Sequence, residues 1–288
     1  MIETLATVES NDELSPGYRL MVLGFDQKIE TGAGQFAMVR AEGLFEPLLR
    51  RALAVYRQLG SHRLSFLYQI LGRGTRVLSQ CVAGSKVEAL IPLGNSWPVY
   101  SRVLPDDPTG ALLAESQPKK AVVVAGGIGS ASLLMLCEQL VREGIETHVL
   151  FGAASRAAAT GCGLEDFSAL GLPLTITTDD GSLGERGFVT NPLERLLSSE
   201  EFGQAVIYAC GPWVMMSRVA GIAAESEVRC FVSLEAPMGC GFGVCVGCVV
   251  AVQTDGPTSY ESYKRVCTEG SIFPADIIEW KVNAMTHS

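Results

Sequence analysis

The chain has 288 residues, 48% of them hydrophobic and 18% charged, with a formal net charge of -9 at pH 7. That length suffices for two domains and a small third, each burying its own core, and the acidic balance argues against nucleic-acid binding, which calls for basic patches. No run of about 18 apolar residues is present to cross a membrane, and Met1-Ile2-Glu3-Thr4 lacks the basic-then-apolar order of a secretory signal, so a soluble, cytoplasmic protein is expected.

From Tyr18 onward, short alternating runs at 18–25, 35–40, 64–71 and 86–91 are separated by glycine and polar turns. They predict a small antiparallel β-barrel over residues 1–102, with a helical stretch at 75–81. Two segments of it carry chemistry. Arg50 and Arg51 head a β-like run through Ala52, Leu53 and Ala54, where one guanidinium can hold a pyrophosphate by paired hydrogen bonds, or where both simply face solvent. Leu67-Tyr68-Gln69 then leads to Gly72-Arg73-Gly74-Thr75. This glycine turn before a helix offers free N–H groups to a second phosphate, although Gly-x-Gly also serves as a plain turn.

Residues 102–118, rich in Pro and Asp, read as a connector, after which the pattern changes to α/β over 119–228. An apolar strand at 121–125, the turn Gly126-Gly127-Ile128-Gly129 and a helix carrying Leu133, Leu136, Leu140 and Val141 form the order of a dinucleotide phosphate cradle. Further strands are expected at 147–151, 174–177 and 204–209. The last runs into Cys210-Gly211-Pro212, at the carboxyl edge where ligands bind in open α/β sheets; Cys210 is either a site residue there or a buried thiol. Asp179-Asp180-Gly181 reads as a turn. No acid closes the second strand, where Gly152 to Arg156 follow, so NAD and NADP are not told apart, and Arg156 would suit a phosphate.

Residues 229–288 hold Cys240-Gly-Phe-Gly-Val-Cys245-Val-Gly-Cys248 and, later, Cys267. Three thiols spaced by four and then two residues, with a fourth downstream, form the ligand set of a plant-type 2Fe-2S cluster. Gly239, Gly241, Gly243 and Gly247 let the main chain curl around an inorganic core. Four cysteines also suit tetrahedral zinc, though only Cys245 and Cys248 form a C-x2-C knuckle, and free thiols often sit in cores. The other five of the nine cysteines are scattered, and the three histidines do not cluster.

The order Arg51 to Ala54, Leu67-Tyr68-Gln69, Gly72-Arg-Gly-Thr75 and Pro92-Leu-Gly-Asn95, with the cysteine loop, resembles the ferredoxin-NADP reductase superfamily. Within it, the chain looks like the electron transfer subunits of class 1B dihydroorotate dehydrogenase, the PyrK family, which Thr178-Asp179-Asp180-Gly181-Ser182 with Gly187-Phe-Val-Thr190 also resembles. The resemblance implies FAD across Arg51, Ala52, Leu53, Ala54, Leu67, Tyr68, Gln69, Gly74 and Thr75. It implies NAD on Gly126, Gly127, Gly129, Gly211 and Pro212, with Cys210 beside the hydride path, Glu235 near the flavin, and a 2Fe-2S cluster on Cys240, Cys245, Cys248 and Cys267. Ala52 and Ala54 depart from the Pro and Ser common in that family, which removes a hydroxyl contact at position 54. Electrons would pass from a donor through the cluster and FAD to NAD, because flavin converts between single and paired electrons.

A dihydroorotate site would need its own FMN-bearing barrel of about 250 residues, and none remains. The resemblance therefore implies a partner, a PyrD-like, FMN-containing catalytic subunit, in a heterotetramer of two copies of each, acting in pyrimidine synthesis. The alternative within the same architecture is a flavin and iron-sulfur NAD(P)H reductase subunit of a hydrogenase or a ferredoxin-NADP transhydrogenase. A zinc-stabilised, nucleotide-binding regulator is the rival of another class.

Overall fold

A computed structural model describes residues 1–43, 46–99, 120–199, 202, 205–254 and 259–281; the expected connector at 102–118 lies outside them. The first part is a seven-stranded antiparallel sheet built from β1 (Ile2–Ser15), β2 (Tyr18–Phe25), β3 (Phe36–Ala41), β4 (Arg51–Ala54), β5 (Arg57–Gln58), β6 (Arg63–Gln69) and β7 (Lys86–Leu93). Its order is β4-β3-β7-β1-β2-β6-β5. The inward residues of these strands, among them Val8, Met21, Leu23, Phe66 and Ile91, form one apolar core. Helix α1 (Arg73–Ser79) interrupts the strands two residues earlier than the sequence suggests, because the Thr75 hydroxyl accepts from the N–H groups of Leu71 and Gly72 and so fastens the turn ahead of it.

The second sheet holds β8 (Lys120–Gly126), β9 (Glu146–Ala153), β10 (Leu174–Thr178), β11 (Glu185–Arg186), β12 (Val206–Cys210) and β13 (Arg229–Ser233). β14 (Val249–Ala251) and β15 (Tyr263–Arg265) make a separate ribbon, and β16 (Ile272–Pro274) returns to the second sheet. The order there is β11-β10-β9-β8-β12-β13-β16, parallel except for the antiparallel β13/β16 edge. The 229–288 stretch thus gives two strands to the nucleotide-type sheet, and the sheet continues past residue 228. Helices α2 (Leu134–Arg142), α3 (Arg156–Gly161), α4 (Leu164–Ser168), α5 (Thr190–Leu197) and α6 (Trp213–Glu225) accompany this sheet, and α7 (Val266–Glu269) follows the ribbon. On α2 the buried side is Leu134, Leu136, Cys137 and Leu140, while Val141 faces solvent.

Strand order reverses at β8, with β9 on one side and β12 on the other, so the crevice for a ligand opens beyond the ends of β8 and β12. There the chain passes itself at close range. A methyl group on Gly129 would lie 2.6 Å from the backbone of Cys210 and Gly211, and backbone cannot yield as a side chain can. Gly129→Ala is expected to lower unfolding stability by about 1–3 kcal/mol, read from the urea midpoint, and an unchanged midpoint would contradict this crossing.

The barrel and the α/β unit are fastened together by a polar cluster. The Tyr56 hydroxyl donates to Asp166 at 2.6 Å, and Arg57 reaches Glu138 at 2.6 Å and Asp166 at 3.1 Å. Burial, followed by the Asp166 carboxylate, drives the Tyr56 hydroxyl far above its ordinary pKa, so it remains a donor. Among the described residues no helix is long and apolar enough to cross a membrane.

Candidate functional site

Two cavities flank the crevice. One, of about 530 Å³, is lined from the barrel by Arg50, Arg51, Ala52, Leu53, Ala54, Leu67, Tyr68, Gln69 and Thr75. The α/β unit adds Gly129, Ser132 and Cys210, and the chain leading to the thiols adds Ser233 through Met238. The other, of about 680 Å³, is lined by Gly126, Gly127, Gly129, Gly152, Asp179, Gly211, Pro212 and Trp213. Gln69, Ile128, Gly129 and Glu235 border both, so the cavities meet at one wall. The residues singled out in the sequence are therefore brought to two adjoining spaces. Gly74 does not line the first; it lies behind it.

The two arginines part company. Arg50 pairs with Glu3 and Glu88, which neutralise it. Arg51 donates only to the carbonyls of Leu49 (2.6 Å) and Arg50 (3.3 Å), and among the described residues no carboxylate pairs with it. Its guanidinium rests on Gly74, where a methyl group would come within 2.0 Å of Nε. Glycine at 74 thus gives the cation its seat, and the charge is left for an anion in the cavity. The Thr75 hydroxyl, by contrast, is committed to the turn.

Cys210 ends β12 and is 3% exposed. Burial first, and then the charge of Glu235, push its thiol up to about 12 against hydrogen bonds from the side chains of Ser132 and Ser233 and the Gly211 backbone. It is a neutral thiol at physiological pH, and so a small, uncharged surface rather than a nucleophile. Glu235 borders both cavities and keeps exposed surface there, while the protein around it partly desolvates the carboxyl and raises it above its usual range. Ser132 closes the turn after β8 and Ser233 ends β13, and neither is near Cys210 along the chain, so sequence alone does not join them to it.

The thiols are positioned by the β14/β15 ribbon. Val249 pairs with Arg265, so Cys248 comes opposite Val266, whose N–H donates to the Cys248 carbonyl at 2.9 Å, and the next N–H, that of Cys267, donates to the Cys248 sulfur at 3.4 Å. Cys240 and Cys245 form the second pair. Burial acts to raise the Cys240 thiol, but the backbone N–H groups of Cys245, Phe242 and Val244 and the Cys245 side chain outweigh it and bring it down to about 6. Cys267 is pushed up to about 12 by burial and then by the adjacent Cys248, with Cys240 adding its charge. Among the described residues no three His, Cys, Asp or Glu side chains close on a point suited to a single ion. Two pairs are the donor set for two irons, and the residues fit that group.

Of the four glycines of the loop only Gly241 and Gly243 have positive φ, at 84° and 89°. Gly239 and Gly247 instead lie close to the Cys245 sulfur, at 3.5 and 3.6 Å for an added methyl group. Gly241 also sits against Met38 and Leu93 of the barrel, where a methyl group would come within 2.4 Å of Met38 Cγ, so the thiol loop is pressed on the flavin-type barrel.

A curled antiparallel barrel, an open α/β sheet with a glycine crevice and a four-thiol loop define an oxidoreductase of the ferredoxin-reductase type with an iron-sulfur domain attached. Residues 235–279 match the iron-sulfur cluster binding domain of dihydroorotate dehydrogenase B. The "dihydroorotate dehydrogenase B (NAD(+)), electron transfer subunit" of Desulforamulus reducens is 34% identical over 86% of this chain and 87% of its own length. That of Streptococcus mutans is 33% identical over 93% of this chain and 94% of its own. A solved NADH-dependent reduced ferredoxin-NADP oxidoreductase superposes with a TM-score of 0.79 at 22% identity, over 98% of this chain and 92% of that one. This chain belongs to the dihydroorotate dehydrogenase B electron transfer subunit family, whose cofactor set is FAD, a 2Fe-2S cluster and NAD.

Proposed function

We propose that this chain carries electrons from an FMN-containing catalytic subunit that oxidises dihydroorotate, through a 2Fe-2S cluster and FAD, to NAD(+), in cytoplasmic pyrimidine synthesis. What supports it most is the order of sites along one line: the thiol loop lies against the barrel, Pro237 and Met238 just ahead of Cys240 line the barrel cavity, and that cavity shares a wall with the nicotinamide one. Bound FAD supplies the exchange between one-electron and two-electron chemistry. The protein supplies positions. Cys240, Cys245, Cys248 and Cys267 would hold the irons. Arg51, seated on Gly74, would hold the FAD pyrophosphate, with Ala52, Leu53, Ala54, Leu67, Tyr68, Gln69 and Thr75 around the rest of the molecule. Gly126, Gly127, Gly129, Gly211 and Pro212 would carry the dinucleotide. Cys210, neutral and small, would bound the place where nicotinamide and flavin face one another and exclude water from it.

The partner reading is tested by co-expressing this chain with a class 1B, FMN-containing dihydroorotate dehydrogenase subunit. A complex of two copies of each is expected, and anaerobic dihydroorotate should then reduce NAD(+) only when both subunits are present. Stable capture of a hydrogenase or glutamate synthase-like subunit instead, with no dihydroorotate-dependent NADH, would sink the assignment.

A further inference from the structure

In an open α/β sheet the dinucleotide pyrophosphate sits at the first glycine turn, and the adjoining ribose reaches the end of the neighbouring strand, where a carboxylate accepts from its hydroxyls. That strand here is β9, and its end, Gly152-Ala153, followed by Ala154, carries no acid. The ladder brings one from the next strand. Thr178 of β10 pairs with Ala153, and the Asp179 N–H donates to the Ala153 carbonyl at 3.1 Å. Asp179 therefore stands one strand over at the height of the β9 end, and it lines the nicotinamide cavity. Among the described residues no cation pairs with its carboxylate.

Its neighbours are committed elsewhere. The Asp180 carboxylate accepts from the Ser182 N–H (2.9 Å) and hydroxyl (2.7 Å), which closes a tight turn. That turn in its place holds Arg156, whose guanidinium donates to the Ser182 carbonyl at 2.9 Å and whose N–H donates to the Ser182 hydroxyl at 2.7 Å. Arg156 is anchored to the turn and is not among the residues lining the cavity, while Asp179, an uncommitted carboxylate, borders it.

We infer that Asp179 selects NAD over NADP by accepting a hydrogen bond from the adenosine ribose and repelling a 2′-phosphate. The inference rests on the nicotinamide reading of this cavity. A 2′-hydroxyl satisfies the carboxylate; a phosphate beside it meets like charge at the cavity wall, which Asp179 lines and Arg156 does not.

The test is anaerobic reduction of the bound flavin of the purified, cofactor-loaded chain by NADH and by NADPH. Asp179→Ser should lower kcat/KM for NADH and raise it for NADPH, moving their ratio by roughly 100-fold, with Asp179→Glu keeping the NADH preference. Asp179 is exposed, so the thermal midpoint should not move. A ratio that stays within about twofold, or an equal loss with both nucleotides, would overturn the inference while leaving the nicotinamide site intact. An unaltered chain that prefers NADPH would overturn the selection alone. A chain whose flavin neither nucleotide reduces would overturn both the selection and the reading beneath it.

Discussion

Cys245→Ser is expected to reduce dihydroorotate-dependent NAD(+) reduction by more than about 100-fold in the two-subunit complex while NADH still reduces the flavin of this chain. Cys245 is the exposed member of the four thiols, so serine there disturbs no core and the chain should fold as before. What it removes is one thiolate of the Cys240/Cys245 pair, together with a hydrogen bond that helps hold Cys240 down at about 6. A serine hydroxyl ionises far less readily than a thiol, so it does not restore the ligand. None of the four thiols lines either cavity, so both keep their lining. Iron and acid-labile sulfide should fall in the purified variant, and visible absorption should retain the flavin bands alone. A variant with full iron and sulfide and undiminished dihydroorotate turnover would show that the four thiols are not the ligand set. Cys267→Ser would be a poorer probe, because Cys267 is 2% exposed and its change confounds packing with ligation.

The parts legible in the sequence were those whose chemistry is local. The thiol spacing reads directly because the loop must close over a few residues, and the apolar run at 121–125 followed by three glycines reads as a strand and a phosphate turn. The 14-residue β1 went unread: it alternates poorly, with Glu9, Asn11 and Asp12 in succession-breaking positions, and carries register shifts at Val8/Ser10 and Glu13/Ser15. Its place in the sheet comes from two long antiparallel neighbours, β2 and β7, rather than from its own pattern. Val141, expected in the helix with Leu133, Leu136 and Leu140, is exposed, and Leu134 and Cys137 complete the buried side instead. Asp179 was legible only as part of a turn resembling the family, and its place beside the β9 end comes from strand order, a tertiary fact. Ser132 and Ser233 were not singled out, because the turn after β8 and the end of β13 meet Cys210 only in the folded chain.

Arg51→Ala is expected to weaken FAD binding by about 3 kcal/mol, roughly 100-fold, whereas Arg50→Ala should leave FAD affinity nearly unchanged and lower stability instead. The neighbouring arginines differ in what already surrounds them. Arg50 is balanced by Glu3 and Glu88 on the strands beneath it; the shared Glu88 is held below the usual carboxylate range by Arg40 first, with Arg50 adding to the effect. Removing Arg50 strips a partner from two carboxylates on the barrel surface. Arg51 has no such carboxylate, and its guanidinium lies beside the cavity on Gly74, so its charge is available to the two phosphates of FAD by paired hydrogen bonds. Gly74→Ala offers an independent reading of the same geometry. The added methyl group would meet the guanidinium at 2.0 Å, and because that group is the end of a flexible side chain it would swing away at little expense in stability. FAD affinity should then fall toward that of Arg51→Ala while the thermal midpoint holds. Both quantities are read by titrating the flavin-free chain with FAD and following flavin fluorescence, with thermal unfolding alongside. An Arg50→Ala variant that loses FAD while Arg51→Ala retains it would reverse the assignment of the pair.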